Sequence, residues 1–345
     1  MSKEPTLKRP LLAAEIVDVP LLQGRDMYKY YGESRATRRR GKADGIVAVR
    51  GVTLCLRKGS SLGLVGESGS GKTTVGLMLA GLLAPDEGDV ALEGREVSRP
   101  RELVISPGDR RRIQMVFQDS FGSLNPRARS LDVIARTLEG TGESHEARIK
   151  RAEELLLSVG LPASRHGNYP HELSGGERQR VNIARAIALN PLVIIADEPV
   201  ASLDVSLQAK ILRLLRDLRS ARGTSYVFIS HDLAVTRYIT DEIAVMYAGQ
   251  VVEHASSSTI VDHPLHPYTR QLIAAARGGR QQEGSPGLRA GDIELVGTQQ
   301  GCPYRYRCPL AVKTCSEGVV PLREIAPGHE VACIRADEPG ESSIG

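Results

Sequence analysis

The 345-residue sequence contains no run of about 18 uncharged apolar residues, so no segment of it reads as a membrane-spanning helix. Its start carries no secretory pattern, because Glu15 and Asp18 interrupt the only apolar segment there; a cytosolic protein is expected. It has almost no charge excess. Forty-five Lys and Arg against 41 Asp and Glu leave +4, which gives no global argument for nucleic-acid binding. The two basic runs, RRRGK at 38–42 and RRR at 110–112, are short and read as solvated surface. No unit of 20–50 residues repeats, so the chain reads as a single unit. What remains is an ordinary apolar fraction, 41%, over a length sufficient for one large or two ordinary domains.

Residues 1–24 show no clean periodicity and are expected to form a loose tail. From 46 to 65, β-branched runs broken by glycine suit two or three strands, and KTTVGLMLAGLL then carries apolar residues at helical spacing up to Pro85. HEARIKRAEELLLSVG at 145–160 and GERQRVNIARAIAL at 176–189 read as helices, the second stopped by Asn190 and Pro191. LVIIAD and SYVFIS read as strands around the helical stretch SLQAKILRLLRDLRS, the alternation of a parallel, helix-covered sheet. IAVMYAGQVVE at 243–253 reads as a hairpin around Ala248 and Gly249. HPLHPY follows, where two prolines within five residues favour a rigid turn over a helix, and over a metal site at His263 and His266. The stretch from Gly278 to Gly301 reads as a flexible link. Cys55, inside an early strand, reads as a small buried apolar residue.

Two motifs carry chemistry by themselves. GESGSGKT at 66–73 fits the phosphate-loop pattern G-x-x-x-x-G-K-[ST], with a strand before it and a helix after it. In that reading Gly66, Gly69 and Gly71 let backbone N–H groups approach phosphates, Lys72 reaches the outer phosphates, and Thr73 offers a hydroxyl to Mg²⁺. Ser68, Ser70 and Thr74 complete the ATP-contacting stretch. Asp197 and Glu198 close the apolar strand VIIAD, so both carboxylates emerge at its carboxyl end. Asp197 would hold Mg²⁺ through a water, and Glu198 would act as general base on the attacking water.

Between these motifs lies LSGGERQR, at 173–180. The order and spacing of the three resemble the ATP-binding cassette family, over the stretch from about Asp26 to Ile334. The resemblance implies ATP hydrolysis by head-to-tail pairs of subunits. It implies that Ser174, Gly175, Gly176 and Glu177 meet the ATP held by the other subunit, and that Gln118 contacts the metal and links nucleotide to membrane partner. Asp204 resembles the D-loop acid, and His231 the switch histidine at the γ-phosphate. Tyr31 matches the aromatic that stacks on adenine, with its neighbour Tyr30 an alternative. The fold class expected is α/β: a P-loop NTPase core with a mostly parallel sheet, an antiparallel β edge, an inserted helical signature subdomain and a small C-terminal cysteine-containing extension. The corresponding spans are 1–24 for the tail, 25–118 and 191–254 for the core, 119–190 for the helical subdomain and 255–345 for the extension.

Within the family, FQDSFGSLNPR at 117–127, DEPVASLDVSLQAKIL at 197–212, HPLHPYT at 263–269 and the terminal cysteines resemble the dipeptide and oligopeptide importer ATPases, most of all the second ATPase subunit of such systems. That group also includes nickel and glutathione importers. The resemblance implies a second, non-identical ATPase subunit, two permease subunits, an extracytoplasmic solute-binding protein acting indirectly, no nucleic acid, and a place at the cytoplasmic face of the membrane. The rivals are another cargo, such as nickel, glutathione or an opine-like compound, and a soluble ABC ATPase acting on ribosomes or DNA. Cys302, Cys308, Cys315 and Cys333 have spacings that match neither the usual zinc pattern nor the ferredoxin pattern. Four thiolates suit a [4Fe–4S] cluster or Zn²⁺, and reduced thiols without metal are the third reading. The resemblance favours the cluster.

Overall fold

The computed structural model describes residues 19–32, 46–201, 203–277 and 301–336. The RRRGK run, residues 1–18 of the expected tail and the expected link from Gly278 up to residue 300 lie outside them. In chain order, β1 (Leu22–Tyr31) and β2 (Ile46–Leu56) lead to β3 (Ser61–Val65) and helix α1 (Lys72–Leu79). Strands β4 (Glu87–Leu92), β5 (Arg95–Arg99) and β6 (Glu102–Leu103) and the short α2 (Pro107–Arg112) precede β7 (Ile113–Val116). A helical stretch follows, with α3 (Ser130–Thr137), α4 (His145–Ser158) and α5 (Gly175–Ile187). Then come β8 (Val193–Asp197), α6 (Val205–Arg222), β9 (Ser225–Ser230), α7 (Leu233–Ile239) and β10 (Glu242–Tyr247) in alternation. The described chain closes with β11 (Gln250–Ser256), α8 (Ser257–Asp262), α9 (Pro267–Ala276), β12 (Arg323–Ala326) and β13 (His329–Val331).

Strands β3, β8 and β9 are buried at every position, as continuous apolar runs are when a sheet is covered on both faces. They pair in parallel in the order β3-β9-β8, with β7 beyond β8 and β10 beyond β3. The register sets Val65 opposite Ser230 and Asp197 opposite Ile229, so the carboxyl ends of the three central strands finish level. Antiparallel pairing adds β11, β13 and β12 on the outer side of β10, giving one eight-stranded sheet. A second, five-stranded antiparallel sheet has the order β2-β1-β4-β5-β6.

Helix α1 sits between the two sheets, where its Val75, Met78 and Leu79 share a core with Met27 of β1 and with Leu64, Ile195 and Ile229 of the parallel sheet. It can lie so close because residue 76 is glycine: a Cβ there would stand 2.6 Å from Cδ1 of Ile229. The helical stretch packs a second core on the opposite face, with Ile134, Leu156, Val181 and Ile183 against Ile194 and Phe228. Each fully buried side chain of this kind contributes about 1.5–3 kcal/mol. The order of α4 follows from the Ser144 cap, whose hydroxyl accepts from the amide of Ala147. Helix α6 is bounded by the Asp204 cap and by Gly223 in the left-handed region at φ +66.

Several expectations are corrected. β1 begins at Leu22, inside the stretch expected to be tail, because Leu22 and Met27 are wholly buried. α1 ends at Leu79 and does not run to Pro85, because Gly81 turns the chain with φ +64. The antiparallel strands near the N-terminus are a sheet of their own, while the antiparallel edge of the main sheet is made by β11 and two strands donated by the C-terminal extension. Pro267 does not prevent a helix; it opens α9 at the first helical position, where its missing N–H is not needed. Cys55 is exposed, because its side chain falls on the outer face of β2, within 3.4 Å of Nε2 of Gln23.

A buried carboxylate fastens the extension to the sheet. Glu253 of β11 is fully buried; its Oε1 accepts from the amide of Leu265 at 2.7 Å and faces Nε2 of His329 at 2.7 Å, and its Oε2 accepts from the amide of His266 at 2.9 Å. One side chain thus joins β11, the turn before α9 and β13. Glu253→Ala strands two amides, that of His266 buried, and the buried His329, and is expected to destabilise the fold by about 3 kcal/mol, the scale for removing one partner from a buried network. A denaturant midpoint equal to that of the wild type would contradict this.

Candidate nucleotide site

The phosphate loop leaves β3 at Val65 and enters α1 at Lys72. Its glycines are required by space and by backbone angle. A Cβ on Gly66 would stand 2.2 Å from the carbonyl of Met246, and one on Gly71, at φ +99, would stand 2.3 Å from that of Ala48. Gly69 is also left-handed, at φ +79. The loop is tied to the β10–β11 hairpin by the amide of Gly249, which donates to the carbonyl of Ser70 at 3.0 Å. Ser70 is buried, while Ser68, Gly69 and Thr73 are exposed and Thr74 is half-buried.

Lys72 is buried with its Nζ turned back into the loop, where it donates to the carbonyls of Gly66 at 2.7 Å and Glu67 at 2.8 Å and to Oγ of Ser70 at 3.3 Å. Burial pushes its pKa below the ordinary lysine value, against the pull of Glu198, Asp197 and Glu67. Asp197, the last residue of β8, is 2% exposed, and its Oδ1 has no hydrogen-bond partner. Burial raises its pKa, the Thr73 hydroxyl and Lys72 oppose the rise, and Glu198 adds to it. A buried, unpartnered carboxylate oxygen beside a threonine hydroxyl at a helix start is a donor set suited to a hydrated Mg²⁺.

Glu198 follows with φ +47, a strained angle for a non-glycine residue, and its amide donates to the carbonyl of Ile229 at 2.9 Å. This turn directs its carboxylate to the end of β9, where Oε1 accepts from the amide of His231 at 3.0 Å and faces Nδ1 of the same residue at 2.7 Å. A proton on Nδ1 suits this pairing with a carboxylate oxygen, and the His231 side chain is 67% exposed. Gln118 is exposed two residues beyond β7, at the same end of the sheet, since Val116 pairs with Ala196. Tyr31 ends β1 at 42% exposure, paired with Ile46, two residues from the Ala48 that crowds Gly71. Tyr30 stacks beside Tyr28 and lies 3.4 Å from Glu87.

The signature residues stand elsewhere. Ser174 caps α5 and forms a reciprocal box with Glu177: its Oγ accepts from the Glu177 amide at 3.3 Å, and Oε2 of Glu177 accepts from the Ser174 amide at 2.8 Å. Glu177 also pairs with Arg165 at 3.4 Å. Among the described residues, no hydrogen bond or ion pair joins Ser174, Gly175, Gly176 or Glu177 to the phosphate loop of the same chain. Gly176 approaches the turn before Asp204, a Cβ there standing 3.1 Å from Leu203. Asp204 itself caps α6 by accepting from the Leu207 amide at 2.9 Å.

Residues 49–201 match the ABC transporter family, and residues 252–315 match the C-terminal region of oligopeptide and dipeptide transporters. The oligopeptide transport ATP-binding protein AppF of Bacillus subtilis is 42% identical over 322 residues, 91% of this chain and 96% of that one. This chain belongs to the ABC transporter ATPases. A Brucella abortus protein named for peptide import and ATP binding is 46% identical over 83% of this chain and 86% of its own length. Among solved structures, the dimeric ABC transporter cassette MJ0796 aligns with a TM-score of 0.61 at 30% identity, covering 68% of this chain and 98% of that one. ABC ATPases hydrolyse ATP with Mg²⁺, and the cradle at Gly66–Thr73 and the unpartnered oxygen of Asp197 fit both.

Sequence reasoning missed who holds the phosphate loop in place. The Glu67 amide donates to the Tyr268 hydroxyl at 2.8 Å, and the Glu67 carboxylate is gripped by Arg307, at 2.9 and 3.2 Å. Position 67 is a free position in the loop pattern, and its partners lie 201 and 240 residues away, so no local signal marks them. The four C-terminal cysteines line one cavity of about 20 Å³, together with His266, Tyr304 and Arg335. Burial raises the thiol of Cys302 to about 11, and those of Cys308 and Cys333 are raised as well. Among the described residues, no three His, Cys, Asp or Glu side chains are grouped tightly enough to hold a single metal ion. Substituting Gly71 by Ala is expected to weaken nucleotide binding by about tenfold or more, through backbone strain and the clash with Ala48. Titration of the purified variant with labelled ATP checks this, and an unchanged affinity contradicts it.

Proposed function

We propose that this ATPase is the motor subunit of an importer that carries dipeptides and oligopeptides across the cytoplasmic membrane. The observation that carries the cargo is the match of residues 252–315 to the C-terminal region of peptide transporters, on a chain whose relatives are named for peptide import over most of their length. No helix of the described residues is long and apolar enough to cross a membrane, so the translocation path belongs to partner permease subunits. The chain would attach to them at the cytoplasmic face. A solute-binding protein outside the membrane would select the peptide.

In this reading ATP lies along the phosphate loop with its adenine on Tyr31. Ser68, Gly69, Ser70, Gly71, Lys72, Thr73 and Thr74 surround the phosphates from the Gly66 end of the loop onward. Lys72 leaves the carbonyls of Gly66 and Glu67 to meet the phosphates, and the charge of ATP replaces the loop carbonyls as its partner. Thr73, Gln118 and Asp197 hold Mg²⁺. Glu198 polarises the attacking water; its hydrogen bonds to His231 fix the carboxylate and leave Nε2 of the imidazole for the γ-phosphate. Ser174, Gly175, Gly176 and Glu177, with Asp204, complete the site of a second ATPase subunit, non-identical to this one. Among the described residues no hydrogen bond or ion pair joins them to the chain's own phosphate loop, which accords with such a head-to-tail pair.

Glu198→Gln is expected to keep ATP binding and lower hydrolysis by about 10² or more, the scale of losing a general base or a catalytic electrostatic group. The measurement is made in an assembled complex where only this chain's phosphate-loop half-site is competent, and near wild-type turnover would remove Glu198 from the role.

For the cysteine cavity, the same reading takes a [4Fe–4S] cluster over zinc. Cys302, Cys308, Cys315 and Cys333, which line one cavity, would hold it through their thiolates. Loading requires the cavity to widen and the raised thiols to lose their protons. Protein purified without oxygen is expected to contain about four irons and four sulfides per chain; zinc alone, or neither metal nor sulfide, would overturn the assignment.

A further inference from the structure

Residue 67 is held from three sides. Its amide donates to the Tyr268 hydroxyl, its carboxylate accepts both terminal nitrogens of Arg307, and its carbonyl accepts from Nζ of Lys72. The first two partners come from the C-terminal region, and both are braced. Tyr268 is fully buried, with Tyr247 edge-on at 4.7 Å and Tyr304 tilted at 5.4 Å; Tyr247 and Tyr304 meet edge-on at 5.2 Å. Such ring pairs resist rotation, so the Tyr268 hydroxyl is a fixed acceptor. The Arg307 side chain is 9% exposed, and a two-pronged pair with a carboxylate fixes direction as well as distance.

The loop needs such support. Lys72 rests on the carbonyls of Gly66 and Glu67, and these must stay in place when the ammonium turns toward phosphate, or the loop follows its own lysine. The glycines that admit phosphate also leave the loop without side chains to stiffen it. We propose that Tyr268 and Arg307 are positioning residues of the ATP site: they pin Glu67 so that the phosphate loop is formed before the nucleotide arrives. Part of the ordering entropy of binding is thereby met in the folded protein. This rests on the reading of Gly66–Thr73 as the ATP site. It gives the C-terminal extension a task inside the catalytic half-site, separate from any metal the cysteines hold.

The test uses the full chain in a Glu198→Gln background, so that binding of a ribose-labelled fluorescent ATP is measured without turnover. Tyr268→Phe removes only the acceptor and keeps the ring packing; Arg307→Ala removes the grip, and Arg307→Lys restores charge without the fork. Tyr268→Phe and Arg307→Ala are each expected to raise Kd about tenfold, with Arg307→Lys between Arg307→Ala and the parent. The combination of Arg307→Ala with Glu67→Ala is expected to be no worse than Arg307→Ala alone. In the assembled complex with Glu198 restored, the same changes raise KM for ATP and leave kcat within about twofold, as loss of uniform binding does. Unchanged Kd in Tyr268→Phe and Arg307→Lys, both folded, overturns the proposal. So does a double variant whose losses multiply. Failure of the parent protein itself to bind the labelled ATP would instead remove the ATP reading of the loop, and the proposal with it.

Discussion

Everything at the nucleotide site depends on the in-register parallel pairing of β3, β9 and β8. Because Val65 stands opposite Ser230 and Asp197 opposite Ile229, the phosphate loop, the carboxylate pair and His231 emerge at one level from three neighbouring strands. A slip of one residue would turn each strand's side chains to the other face and part Glu198 from His231. The burial of all positions in these strands sets that register, with α1 wedged on one face through Gly76 and the helical stretch on the other. Stability and site geometry therefore share one cause: the core that holds the sheet also aligns the strand ends at the candidate site.

The charges gathered there are poorly satisfied by the protein's own groups. Lys72 is buried among carbonyls and Asp197 keeps an oxygen without a partner, each shifted toward its neutral form by burial. Such groups stay in a folded protein when a ligand is to satisfy them, and a magnesium–triphosphate carries the complementary charges. Glu198 is a further strained point, with its positive φ fixed by the hydrogen bond to Ile229. The cost of these features is spread over a large core, which is why the site can be poised without unfolding it.

Much of this was legible because the informative patterns are local. GESGSGKT names its own backbone geometry, the apolar run before Asp197 implies a buried strand, and SYVFIS places His231 at a strand end. Ser174 and Glu177 could have been recognised as a capping box, since serine followed three residues later by glutamate before an apolar helix is a helix start in any protein. Other features had no sequence signal. Gly81 ends α1 by a backbone angle that an apolar helical pattern does not reveal, and Pro267 counts as a breaker or an opener depending only on where the helix starts. Glu253 reads as an ordinary polar residue of a hairpin, yet its partners are near residues 265 and 329. The grip on Glu67 likewise joins residues more than 200 positions apart.

The two strands that the extension adds to the main sheet bear on where this protein ends as a folding unit. The expected end of the core at residue 254 invites a cut just after the hairpin. Cutting after Ser256 would leave β11 as an open edge, since β13 pairs with it at Glu253 and His254. An open strand edge beside a buried, unpaired carboxylate invites pairing with another copy and aggregation. A version that keeps the pairing of β11 therefore includes residues to at least Ala332, whose amide donates to the carbonyl of Val252, and the modular appearance of the sequence does not extend to its physics.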